Sequence, residues 1–388
     1  METTEPNRNV LPRHFYSLDA LRGLAALGVV FWHWQHFFYR GTELTDFSPE
    51  RQPLYNWFKP FYTEGWRAVD LFFCLSGFIF YWLYSERIWT RTTSLREFVV
   101  LRFSRLYPLH LLTLLAVLAG QQVMLRAFGS YFAYSHIDLY HFGLQLVFAS
   151  NWGFEQGYSF NGPIWSVSVE VLLYAVFFLL CRFNFRRWWH LAIMIIIGHV
   201  LTRVGPSNVG KGMFSFFAGG AGFHIFSHIW SLSPSRATLK KFAVITCLFW
   251  VLVALNLYVR DDLGYALVKT PRFFYELLLF PLTLITLALW EAQRGTLGRR
   301  VAFLGHISYS SYLLHYPLQM LLVGIALALT VPATIFYTPM SLVLFFILLV
   351  SLSLASYHFF ERPAQSKIRA WLLPDSRSVT IDKTGQKP

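Results

Sequence analysis

Ser17-Leu18-Asp19-Ala20-Leu21-Arg22-Gly23, running on through Leu24, Val29, Val30 and Phe31 to His33, decides how this chain is read. The run is apolar over the length of a membrane-spanning helix, yet it places an arginine at its start and an imidazole deep inside. Eleven residues at about 100° each amount to three turns and roughly 20°, so Arg22 and His33 fall on one helix face, about 16 Å apart along the axis. Ionisable groups at such depth are expensive in hydrocarbon, which makes both of them functional candidates.

The rest of the chain has the same character. Of 388 residues, 55% are hydrophobic, 19% aromatic and only 14% charged, against roughly 25% charged in soluble domains. Mean hydropathy is +0.44. The fold class expected is all-α: a polytopic integral membrane protein of about ten transmembrane helices, with a re-entrant or interfacial segment on the outer face. A net charge of +13 does not imply nucleic acid, because the basic residues sit in short clusters between apolar runs, as juxtamembrane anchors do. Cys74, Cys181 and Cys247 lie in apolar runs at unrelated spacing and read as core packing. The polar N-terminus shows no short apolar stretch with a small-residue cleavage site, so the first span is expected to be retained.

Spans are expected at 17–38, 66–84, 99–119, 164–181, 189–204, 211–230, 242–259, 273–291, 308–330 and 337–358. The apolar piece Leu139 to Ser150 is too short to cross about 30 Å of hydrocarbon. If it stays on one side and the N-terminus is cytoplasmic, 23 of the 33 Lys and Arg residues fall inside, as the positive-inside rule requires. Letting it cross erases that bias. The expected organisation is a cytoplasmic tail (1–16), a membrane domain (17–363) and a cytoplasmic tail (364–388), integral to a plasma or bacterial inner membrane. Residues 120–163 form the outer excursion, whose Asn151, Trp152, Tyr158 and Asn161 suit either a carbohydrate-facing cavity or an interfacial aromatic belt. Residues 374–388 read as disordered.

Depth then sorts the polar residues. Arg102 and Arg105 stand i, i+3 at the cytoplasmic start of the third span and with Arg22 could form a cluster of guanidinium forks suited to a polyphosphate. Pro108 is expected to loosen that helix. Glu170 enters from the outer side to the level of His33. A His33–Glu170 pair would make a general base, with Ser166 hydrogen-bonding the carboxylate from one turn back. Asp19 is the expected partner of Arg22, and Arg67 of Asp70. His315 is a second intramembrane imidazole, beside Pro317, with functional and structural readings in balance. No HExxH, GxSxG or phosphate-loop pattern occurs, and no metal site is expected.

Six segments, SLDALRGLAALGVVFWHW, RAVDLFFCLSGFIF, LRFSRLYPLHLL, NGPIWSVSVEVLLY, ISYSSYLLHYPL and YHFFERP, stand in the order and spacing of the membrane-bound acyltransferase-3 family, which this chain resembles from about Ser17 to Pro363. The resemblance implies a stand-alone O-acyltransferase without an appended esterase-like domain. By that resemblance His33 and Glu170 are catalytic, and Arg22, Arg102 and Arg105 bind the donor. It implies acyl-CoA, chiefly acetyl-CoA, as donor substrate with no permanently bound cofactor, and an extracytoplasmic carbohydrate or glycoconjugate as acceptor. A transporter or flippase is the alternative, disfavoured because no inverted repeat accompanies the arginine cluster.

Overall fold

The computed structural model describes residue 12, residues 14–263 and residues 270–374. The expected disorder of 374–388 lies, beyond residue 374, outside the described residues, as does most of the N-terminal tail. Every expected span is helical: α1 Tyr16–Trp32, α2 Arg67–Leu83, α3 Leu95–Phe128, α4 Trp165–Arg182, α5 Trp188–Val204, α6 Ser207–Ser231, α7 Arg236–Leu263, α8 Phe280–Arg294, α9 Ser308–Ala328 and α10 Pro339–Ala355. Six helical segments are long and apolar enough to cross a membrane on length and composition alone, or seven if the bent pair Tyr55–Glu64 and Arg67–Leu83 counts as one. The only strands among the described residues are the two-residue partners Tyr39–Arg40 and Glu43–Leu44. The chain is an all-α polytopic membrane protein.

Contacts divide the connections into two ends. At one end Tyr16 and Ser17 donate their backbone N–H groups to Glu291, 2.8 Å each. Arg186 pairs with Glu86, and Arg369 reaches Ser104 at 3.1 Å. At the other end the Trp34 indole donates to Phe336 O at 2.9 Å, Asn208 meets Asn151 at 2.7 Å and Arg272 meets Asp70. The segment Leu139–Leu146 is an eight-residue helix, about 12 Å long, and it stays at the second end with its loop. That is the non-crossing excursion expected from charge bias. Glu291 is also a helix cap: its carboxylate takes two of the orphan N–H groups at the start of α1, where the helix dipole favours negative charge.

Neither Pro108 nor Pro317 interrupts its helix. α3 runs 34 residues through Pro108 and α9 runs 21 residues through Pro317. Proline at 317 has no N–H for the carbonyl of Leu313 four residues back; the Asn161 side-chain amide donates to that carbonyl instead, at 3.1 Å. The loop asparagine therefore repairs α9 from outside it.

The packing of α2 on α6 is a backbone seam. A Cβ on Gly77 would lie 1.7 Å from Phe216 O, and one on Gly219 would lie 1.8 Å from Cys74 O. Only glycine permits two helices to approach this closely. Beyond α10 the chain makes a π turn, Ser356–Glu361, and a last helix α11, Arg362–Leu372, that folds back on the start of α3. The expected cytoplasmic tail thus begins with an ordered helix.

Candidate active site

Arg22, Arg102 and Arg105 converge. All three line a cavity of about 350 Å³ at the end where α1 begins, and all three also line a second, inner cavity of about 110 Å³. Ile79 and Tyr309 belong to both linings, so the guanidinium groups stand on the wall the two cavities share. Asp19 accepts from Arg22 at 3.2 Å, the expected i, i+3 pair. Arg102 donates to the Tyr84 hydroxyl at 2.6 Å and lies over the Phe80 and Tyr84 rings, 5.2 and 5.1 Å from their centroids. Aromatic faces hold a guanidinium while leaving its edge N–H groups available.

The outer-lying cavity carries an excess of positive charge. Arg362 and Arg369 of α11 add two guanidinium groups to the three expected, against the carboxylates of Asp19 and Glu361. Glu361 accepts from Ser310 and Ser356 at 2.5 and 2.7 Å. Burial pushes the His306 imidazole below its ordinary range, so at neutral pH this lining residue adds no charge. A half-enclosed cationic cavity of this kind suits a polyanion.

Glu170 lines the inner cavity with the three arginines, but its contacts differ from those expected. Its carboxylate accepts a short hydrogen bond from Ser76 of α2, not from Ser166. Ser166 instead meets the Tyr312 hydroxyl at 2.8 Å. That hydroxyl donates to Pro163 O at 2.6 Å, so its proton is spent and Ser166 is the donor. The correction has a steric origin. Ser166 points toward α9, whereas the Glu170 side chain faces α2, which supplies a closer hydroxyl.

His33 is half-buried at the point where α1 tightens into a 3₁₀ turn, His33–Phe38. The hydrogen bond it makes is to His315, Nδ1 to Nε2 at 3.0 Å, rather than to Glu170, and it lines neither cavity. Its carbonyl accepts from Gln319 Nε2 at 2.9 Å. Gln319 Oε1 faces His36 Nδ1 at 3.2 Å, and Tyr134 reaches His36 Nε2 at 3.4 Å. Tyr312, with its ring 5.9 Å from that of His315, stands between the inner cavity and the imidazoles. A carboxylate is absent from the hydrogen bonds of this set.

One further expectation is revised. Asp70 pairs with Arg272 at 2.5 Å, not with Arg67, which takes Glu64 at 2.6 Å. Arg272 also reaches Glu276 at 2.8 Å, so one guanidinium bridges two buried carboxylates. In the outer loop, His136, Asp138 and His141 bring their ligand atoms within 4.8 Å of one another. Both nitrogens of His141 are engaged, Nδ1 by Asp138 at 2.8 Å and Nε2 by the Gln156 N–H at 3.2 Å. Asp138 is the N-cap of its helix, accepting from His141 N at 2.9 Å; the group reads as a loop cap. Trp152 and Asn151 anchor the same loop to Ser168.

Ser76, Gln319, Tyr134 and Arg369 were not legible as site residues. Each is a common polar type whose partner lies on another helix, and no local spacing signals such a pairing.

The acyltransferase-3 family model, described as an acyltransferase domain, matches residues 15–356. Among curated proteins, "Protein 2 in picA locus" of Rhizobium radiobacter is 34% identical over 118 residues, which is 30% of this chain and 51% of that protein. The chain thus spans about half the length of that relative. No solved structure matches. With a match across nearly all of the membrane domain, and with the helices and clustered arginines just described, this chain belongs to the acyltransferase-3 family of membrane acyltransferases.

Proposed function

We propose that the protein transfers an acyl group, chiefly acetyl, from cytoplasmic acyl-CoA to a hydroxyl of an extracytoplasmic carbohydrate or glycoconjugate. The observation that carries this reading is the shared wall of Arg22, Arg102 and Arg105 between a cationic cavity and an inner cavity lined by Glu170 and Tyr312. The phosphates of the donor take the guanidinium forks, with Arg362 and Arg369 closing the same cavity. The pantetheine arm then occupies the inner cavity past Glu170, and the thioester passes Tyr312 to reach His33. The acceptor approaches from the opposite end, where the 129–163 loop lies.

At His33 the imidazole takes the acceptor's hydroxyl proton as its oxygen attacks the thioester carbonyl. The carbon–sulfur bond breaks and the thiolate leaves with the proton, giving an ester and free CoA. A positioned base of this kind contributes about 10²–10⁴-fold. Glu170 accepts from Ser76 and does not meet His33; it lies along the route of the thioester, beside the arginines.

Labelled acetyl-CoA supplied to the cytoplasmic face of membrane vesicles tests the reading. Label should appear in extracytoplasmic glycan, and His33→Ala at equal membrane abundance should abolish it. Undiminished labelling by that variant, or movement of an unmodified solute with none, would refute it.

A further inference from the structure

The reactive nitrogen of His33 can be assigned from the hydrogen bonds around it, starting with a group whose chemistry is unambiguous. The carbonyl of His33 can only accept, so the Gln319 atom 2.9 Å from it is the amide nitrogen. The Gln319 oxygen therefore faces His36 Nδ1, which must carry the proton. His36 Nε2 is left as an acceptor and meets the Tyr134 hydroxyl. Both nitrogens of His36 are then satisfied in the neutral ring.

His315 is fixed from its own helix. Its Nδ1 is buried and has no hydrogen bond; a helical side chain leans back over the preceding turn, so the backbone groups beside the ring are the carbonyls of Ser311 and Tyr312. A lone pair aimed at carbonyl oxygens is repelled, whereas an N–H is attracted, so the proton sits on Nδ1. His315 Nε2 is then a bare acceptor, and the 3.0 Å contact requires His33 Nδ1 to be the donor. The two ring planes lie within 17° of parallel, with centroids 4.9 Å apart.

We propose that His315 is the positioning residue of the site: by accepting from His33 Nδ1 it fixes the tautomer in which Nε2 of His33 is unprotonated and free to act as the base. The inference rests on the acyl-transfer reading of His33 and adds to it an atom and a partner. His315 and Gln319 stand i, i+4 on one face of α9, so a single helix holds both the ring and the backbone of His33. When Nε2 takes the hydroxyl proton, His33 becomes an imidazolium whose Nδ1–H still donates to His315. When that proton passes to the leaving thiolate, the starting tautomer returns. A histidine here does the orienting that a buried carboxylate does in hydrolase triads, where loss of the correct tautomer costs about 10⁴-fold.

Three variants at one position test this in full-length protein in vesicles, with acetyl-CoA as donor and envelope glycan as acceptor. His315→Gln keeps an acceptor oxygen near the place of Nε2, His315→Asn holds its amide too far back, and His315→Leu has none. The expected result is a loss of about 10²-fold in kcat for Leu and Asn, recovery to within about tenfold for Gln, and KM for acetyl-CoA unchanged within about twofold. Wild-type rates for Leu and Asn would overturn the assignment. An equal fall for all three with a raised KM would overturn it too, since that pattern is packing damage. Nitrogen-15 spectra of histidine-labelled wild-type protein give a measurement free of folding effects: a proton on His33 Nε2 sinks the proposal. If His33→Ala stays fully active, the acyl-transfer reading itself falls; if it is dead while His315→Leu is normal, only the tautomer assignment falls.

Discussion

Around Arg22, Arg102 and Arg105, five guanidinium groups face a cavity that holds two carboxylates; around His33, a hydrogen-bonded chain of His315, Gln319, His36 and Tyr134 contains neither a carboxylate nor a guanidinium. The arginines are carried by α1, α3 and α11, whereas the histidine set is carried by α9, the 3₁₀ turn that follows α1 and the outer loop. The difference teaches how one protein handles polar groups in a membrane. At the arginine end charge is left uncompensated beside open space, where a charged ligand can supply the balance. At the histidine end the polar atoms are mutually hydrogen-bonded, so the ring is held in place at little electrostatic expense.

The contrast breaks most decisively if donor binding ignores the arginines. The double variant Arg102→Ala/Arg105→Ala should weaken acetyl-CoA binding by about 10³-fold, taking about 2 kcal/mol for each lost charge-assisted contact. Calorimetry in detergent should also show the wild-type affinity falling with added salt. His33→Ala should bind the donor as wild type does. Equal loss in all variants would mean that the two ends are one undivided site.

A smaller effect is expected from Gln319→Leu. It strands the His33 carbonyl and His36 Nδ1, a penalty of about 2 kcal/mol, to be read as earlier thermal unfolding with donor affinity intact. If stability were unchanged, the histidine end would not be the tightly satisfied set described. Next comes Arg369→Ala, for which about a tenfold loss of donor affinity is expected, from one hydrogen-bonded cation. Arg369→Lys should restore part of it, because the ammonium lacks the fork. An unchanged affinity would confine the cationic cavity to α1 and α3.

The smallest effect lies in the loop over the histidine end. The His141 backbone N–H and imidazole hold the Asp138 carboxyl below its ordinary value of 3.8. A depressed carboxyl stabilises the fold above that value and loses its contribution as pH falls through the lower folded one. Wild type should therefore exceed Asp138→Asn in stability near pH 6 by less than about 1 kcal/mol, since the side chain is half exposed. The gap should close in strong acid; a gap independent of pH would contradict it.

Much of this molecule was readable from residues alone, for particular reasons. The ten helices followed from apolar length, and the non-crossing excursion from where Arg186, Lys240 and Arg299 had to lie. The arginine cluster followed from i, i+3 spacing and depth, since residues at one level of neighbouring helices tend to meet. Partner choice was not readable. Glu170 finds Ser76 rather than His33 because rotation of α4 about its axis decides which neighbour it faces, and no sequence period encodes that angle. Pro108 was expected to loosen α3, yet α3 and α9 both run through their prolines, α9 with help from Asn161, a compensation 156 residues distant from Pro317 in sequence.

The close approach of α2 and α6 limits how the cationic cavity can open, because Ile79, Trp82 and Leu83 of α2 form part of its wall. Main chains that touch at Gly77 and Gly219 leave no side-chain cushion along which the pair could shear. Any widening of that cavity must therefore come from the opposite wall, where α11 rests on α3 through the Arg369 contacts. A rigid fusion attached directly after Leu372 would load that hinge, and it should slow turnover more than the same fusion joined through a long flexible tether.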